Sequence, residues 1–157
     1  MRITPGESVG DVFGYAGGKK GRFAGAKIYK YDEAADAFSL HGSFELLSPV
    51  APIIVKLTDT GALVTVDNWH NVGYGHIVVA YDAAGRTLAK FTLADLIPEA
   101  EHAEIRTSAS SIWWRCGDLD VSPDGRMLEV LDYTEGLIRI DVSAGTVDRE
   151  RGSGSCE

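Results

Sequence analysis

Basic residues are scarce in this chain. Its 15 lysines and arginines face 23 acidic residues, which leaves a formal charge of -8 over 157 residues. Each nucleic-acid phosphate contact consumes a Lys or Arg, so a nucleic-acid partner is excluded, and the surplus carboxylate reads as a solvated surface. Long apolar runs are missing too. No stretch approaches the roughly 20 residues that a bilayer span requires, and no membrane partner is expected. The opening Met-Arg-Ile-Thr-Pro-Gly-Glu-Ser-Val-Gly has no apolar leader segment. As written the chain is expected in the cytoplasm, and secreted or periplasmic if an upstream leader is missing. The two cysteines cannot form a disulfide framework. Cys116 reads as a small buried hydrophobe beside a strand and Cys156 as part of a flexible tail, with one bond between them as the alternative. Signatures of catalysis are absent: no Gly-x-Ser-x-Gly elbow, no phosphate loop and no His-Glu-x-x-His helix. Gly17-Gly18-Lys19-Lys20-Gly21 is only a basic turn. No cofactor is expected.

What is present is β-type patterning punctuated by turns, with 18 glycines against 5 prolines. A chain of this length makes about one domain, expected over 1–150 with a tail at 151–157. A weak strand is expected near Val12–Tyr15. Lys27–Asp32 alternates polar and apolar residues and reads as a half-buried strand, returning over Ala37–Leu40. Val50–Leu57 is β-branched and continuous apart from Pro52. Strands are further expected over Ala62–Val66, Ile77–Asp82, Thr87–Phe91, Cys116–Val121, Met127–Asp132, Leu137–Asp141 and Thr146–Arg149. Thr92-Leu93-Ala94-Asp95 fits a capping box opening a short helix near 92–97, which Pro98 stops. Residues 99–111 form a polar excursion.

Segments recur. Tyr31-Asp32-Glu33-Ala34-Ala35 matches Tyr81-Asp82-Ala83-Ala84-Gly85, with Ile140-Asp141-Val142-Ser143-Ala144-Gly145 as a looser third copy. Each ends a strand in an Asp able to accept backbone amides two residues on. Upstream, Leu57-Thr58-Asp59-Thr60-Gly61-Ala62-Leu63-Val64 matches Val121-Ser122-Pro123-Asp124-Gly125-Arg126-Met127-Leu128. The pattern is a four-stranded antiparallel meander present twice, with a half copy in front. Val121–Val130 followed by Gly136–Val147 resembles one blade of a YVTN-type, quinoprotein-like β-propeller, and Leu57–Leu88 resembles its neighbour. The resemblance implies an all-β fold of about 2.5–3 propeller-like blades, fewer than the 4–8 of closed propellers. Open sheet ends and unpaired strand edges then lead to the expectation of a homodimer, which would bring five or six blades together.

The densest chemistry lies in Asp67-Asn68-Trp69-His70-Asn71-Val72-Gly73-Tyr74-Gly75-His76. Trp69 or Tyr74 could stack a sugar or heteroaromatic ring that Asp67 and Asn68 orient. The alternative is a structured turn in which Asp67 and Asn68 cap amides and Trp69 plugs the core. Asp67, His70 and His76 also allow a weaker reading as a metal site for a small hydrolase or lactonase, although their spacing matches no established metal motif. Ser110-Ser111-Ile112-Trp113-Trp114-Arg115 is the second cluster. Adjacent tryptophans on an extended segment face opposite ways, so one should enter the core and the other stay free for contact. Arg115 can stack on an indole or pair with an acid. The expected function is a binding or protein-interaction module without catalysis, its ligand a small molecule, a glycan or a protein.

Overall fold

A computed structural model describes residues 1–8, 21–69 and 71–156. The strand expected near Val12–Tyr15 and most of the basic turn at 17–21 lie outside the described residues, as does His70. The chain is all-β. Three antiparallel sheets follow one another in sequence order. The first pairs β1 (Arg2–Thr4), β2 (Gly25–Asp32) and β3 (Ala37–Glu45). The second is a meander of β4 (Ile54–Leu57), β5 (Leu63–Val66), β6 (Val78–Tyr81) and β7 (Thr87–Phe91). The third repeats that order with β8 (Arg115–Val121), β9 (Met127–Asp132), β10 (Leu137–Asp141) and β11 (Thr146–Glu150).

The second sheet lies between the other two, which explains its unbroken apolar runs. Leu-Val-Thr-Val of β5 and Val-Val-Ala-Tyr of β6 are buried on both faces. Leu63, Val79 and Tyr81 pack with Ala24, Ala26 and Leu46 of the first layer. Val64, Val66, Val78 and Ala80 pack with Leu128, Val130, Ile138 and Ile140 of the third. Each Val, Leu or Ile side chain among these stabilises the fold by roughly 1.5–3 kcal/mol when fully buried. The third sheet has only one covered face, so β9 alternates strictly between exposed and buried residues.

Gly61 and Gly125 hold matching turns with φ of 81° and 74°, where a side chain would be strained. Each donates its amide to the carbonyl three residues back, on Thr58 and Ser122 respectively. The third sheet's turn is one residue longer, however. Leu63 stands opposite Leu57 and Tyr81, whereas Leu128, not Met127, stands opposite Val121 and Ile140. The sequence match of Leu63 with Met127 is therefore corrected by one position, which moves each side chain to the other face. With that correction Asp67 corresponds to Asp132.

After β7 comes α1 (Leu93–Leu96), which burns no core space beyond Leu93 and Leu96. The Asp95 carboxylate closes its capping box, accepting the Thr92 amide and hydroxyl at 2.7 Å each. A 3-10 helix at Glu99–Glu104 was not anticipated. It is fastened to the third sheet by Glu101, which takes both terminal nitrogens of Arg149 at 3.0 Å, while Arg149 Nε reaches the buried Asp132 at 2.5 Å. Cys116 and Cys156 are disulfide-bonded. The tail expected to lack packing is also hydrogen-bonded: Gly152 donates to the Thr134 hydroxyl and Gly154 to the Thr134 carbonyl, each at 3.0 Å. A Cβ on Gly152 would lie 2.1 Å from that carbonyl, so only glycine fits there.

Candidate functional site

The short turns 58–62, 83–86 and 122–126 share one end of the layered sheets, where Gly61 lies against Ala83 and Gly125 against Thr58. Antiparallel topology sends the 67–77 loop, the 133–136 turn, the 92–114 connection and the tail to the other end. Polar and aromatic groups gather there.

Asp67 organises that end. Val66 ends β5, and Asp67 takes a left-handed φ of 57°, which Asp tolerates better than most residues. Its side chain is buried. Oδ1 accepts the Trp114 indole N–H at 2.9 Å and the Gly73 amide at 3.0 Å, and Oδ2 accepts Arg115 Nε at 3.0 Å. Arg115 is only 14% exposed and also donates to the Gly117 carbonyl. Its guanidinium carbon lies 6.0 Å from the Trp114 ring centre. Asn68 fastens a second segment, its Oδ1 accepting the Ser48 hydroxyl at 3.0 Å and the Val50 and Ala51 amides at 3.2 and 3.3 Å. Asp67 and Asn68 thus accept backbone amides, as the structured-turn alternative expects.

Trp69 does not plug the core. It is 69% exposed, while Trp114 is fully buried and Trp113 is 49% exposed. The adjacent pair divides between core and surface as the extended backbone requires. Trp113 sits on a small hairpin closed by a Thr107–Ile112 bridge and a Trp113 amide to Arg106 carbonyl bond of 2.9 Å. In that register Arg106 and Trp113 are cross-strand neighbours. Ile112 turns inward and donates its amide to the Val72 carbonyl at 2.9 Å, tying the hairpin to the 67–77 loop.

Trp69, Trp113, Trp114 and Arg115 therefore border one cavity of about 840 Å³. The remaining described candidates do not. Tyr74 and His76 are half-buried away from its lining. Burial first, and then Lys90, lowers the His76 pKa, with Asp95 opposing them. Arg106, Tyr133, Glu135 and the Cys116–Cys156 bond complete the cavity wall, and none of them was a candidate from sequence. Arg106 forms no ion pair or side-chain hydrogen bond among the described residues, and it lines the cavity together with Trp113, its cross-strand neighbour. Glu104, which also lines the cavity, is committed to Arg151 at 2.5 Å and to the Tyr133 hydroxyl at 3.3 Å. Burial first, and then the Glu101 hydrogen bond, raises the Tyr133 pKa, so the phenol stays neutral and donates. No cluster of three potential metal-ligating side chains occurs among the described residues.

The chain matches no known family model, no curated protein and no solved structure in the comparisons made.

Proposed function

We propose that this protein is a non-catalytic binding module built of propeller-type repeated blades, and that its ligand lies in the cleft between Trp69 and Trp113. One observation carries the reading: two largely exposed indoles, supplied by separate elements, line the same cavity of about 840 Å³. Exposed tryptophan is costly to solvate and is enriched where a partner covers it. The cavity volume lies within the range of ligand sites. Arg106 beside Trp113 adds a donor pair suited to a carboxylate or another anionic group. The ligand class best matched is a ring compound, a sugar or heteroaromatic, bearing an acidic substituent.

The hydrolase alternative needs Asp67 as a metal ligand or base. Both its oxygens already accept strong donors, Trp114, Gly73 and Arg115, which favours binding over hydrolysis. The repeat reading draws support from the matched glycine turns, from the ladders and from the correspondence of Asp67 with Asp132. The disulfide supports work in an oxidising compartment, where such bonds persist, rather than in the cytoplasm. No helix among the described residues is long and apolar enough to cross a membrane.

Calorimetric titration with a panel of neutral pyranosides, uronic acids and aromatic carboxylates tests the proposal. Trp69→Ala and Trp113→Ala should each weaken an acidic ring ligand about ten-fold, which is about 1.4 kcal/mol, with the fold retained by circular dichroism. Arg106→Ala should weaken the acidic members selectively. Binding indifferent to all three substitutions would refute the site.

A further inference from the structure

Among the described residues the two outermost sheet faces are uncovered, and they differ in character. On the third sheet the residues facing away from the core form a cross-strand row: Asp120 opposite Glu129, Glu129 opposite Arg139, and Arg139 opposite Asp148. Arg139 reaches Glu129 at 3.2 Å, Glu150 at 2.8 Å and Asp148 at 3.8 Å. One guanidinium thus serves three carboxylates, and Asp120 forms no ion pair among the described residues. Like charges directly opposite one another on a sheet are unfavourable, so this face is short of cations. Next to the row lie Leu131 and Leu137, a cross-strand pair whose Leu131 is 42% exposed.

The first sheet's outer face carries one acid among its described residues, Glu45 opposite Gly25, but it also presents two cations. Ile3 and Ala26 point inward, so Arg2 and Lys27, themselves paired opposite one another, point outward. Further along the same face Tyr31 and Phe38 are paired, with ring centres 5.2 Å apart and Phe38 72% exposed.

The sheets are related in a way that makes these faces complementary. In the ladders Glu129 and Arg139 hold the places of Val64 and Ala80, and Leu131 and Leu137 those of Val66 and Val78. Val64, Val66, Val78 and Ala80 are the residues with which the second sheet covers the third. The third sheet's free face is therefore the one that would receive a next sheet, and the first sheet's free face is the one that would cover it. The geometry points to a second copy of this chain as that next layer. Under a twofold axis, the acidic face of each copy meets the Arg2–Lys27 face of the other, closing a ring of six sheets through two equal contacts. This inference is independent of what the cleft binds.

Sedimentation equilibrium of the full chain across the micromolar range tests it. The expected mass is twice the 16.9 kDa of one chain. Arg2→Glu combined with Lys27→Glu should weaken association at least about ten-fold. Adding Asp120→Lys and Asp148→Lys to the same chain should restore it, because the signs are exchanged on both sides of each contact. All four positions are exposed, so circular dichroism should show an unchanged fold. A wild-type mass of 16.9 kDa throughout the range would overturn the inference. So would open-ended larger assemblies, a dimer indifferent to Arg2 and Lys27, or failure of the exchanged chain to recover.

Discussion

Replacing both Cys116 and Cys156 by Ser should lower the stability of this protein by up to about 4 kcal/mol. The bond closes a loop with a sequence separation of 40 residues, one that contains β9, β10 and β11. Closing such a loop in the unfolded chain removes about 13 cal/mol/K of entropy, or about 4 kcal/mol near room temperature. The native tail keeps other ties when the bond is gone, since Gly152 and Gly154 still reach Thr134 at 3.0 Å. The loss should therefore arise mainly from the unfolded state and not from a collapsed tail. For a domain of this size, about 4 kcal/mol corresponds to a fall of roughly 8–16 °C in melting temperature. Thermal unfolding followed by far-ultraviolet circular dichroism measures it, with the wild type in excess dithiothreitol as the matched chemical reduction. Both samples should shift alike. A shift below about 2 °C in each would refute the reasoning, since the cross-link would then restrict nothing of consequence.

Asp67→Ala should cost about 3–5 kcal/mol by urea denaturation, because it leaves Arg115 partly buried without its carboxylate and orphans the Trp114 indole N–H. Trp114→Ala should cost about 3–5 kcal/mol as a large-to-small core substitution, whereas Trp69→Ala, at a side chain that is 69% exposed, should cost less. Equal losses for the two tryptophans in denaturant titrations would contradict their placement. Acid should weaken the fold through Glu101. The Arg149 hydrogen bond, opposed by burial and aided by the Arg149 and Arg151 charges, holds its carboxyl below the usual range. A depressed folded value means the stabilisation is complete above the unfolded value of about 4.3 and is lost as pH falls through the lower folded one. Glu101→Gln should accordingly flatten part of the acid-side decline in stability, and an unchanged profile would exclude that pair as a contributor.

The second and third sheets were legible because their residues carry both period and punctuation. Thr87–Phe91, Met127–Asp132 and Leu137–Asp141 coincide with strands β7, β9 and β10, the first two reached through short turns that hold Asp and Gly and the third through a short turn that ends in Gly136. Asp32, Asp82 and Asp141 do accept the amides two residues on, at 3.0, 2.9 and 2.8 Å. β1 was not legible, since Arg-Ile-Thr is too short for alternation to register and is held only by its partner β2. The extra residue between Gly125 and Leu128 was hidden for a different reason. Composition around a turn does not reveal loop length, and only ladder pairing shows which residue faces inward. In the cleft, Trp113 and Trp114 were separable by alternation, but Trp69 was not, because its side depends on Asp67 adopting a left-handed backbone. Arg106 was missed because the 99–111 excursion carries no periodic signal. The cysteine pairing depends on the β8–β9 edge and the tail meeting in space, which a spacing of 40 residues does not encode.

The cleft between Trp69 and Trp113 is the central claim, and the three indole N–H resonances offer the most direct test. Trp114 donates to Asp67 at 2.9 Å inside the core, whereas Trp69 and Trp113 stand at the cavity. Proton–nitrogen correlation spectra recorded while adding a uronic acid or an aromatic carboxylate separate the three. The account predicts that an acidic ring ligand moves the Trp69 and Trp113 signals together, at one saturation constant, and shifts Trp114 least. Ligands that leave both exposed indoles unmoved, or that move them with unrelated affinities, would contradict it.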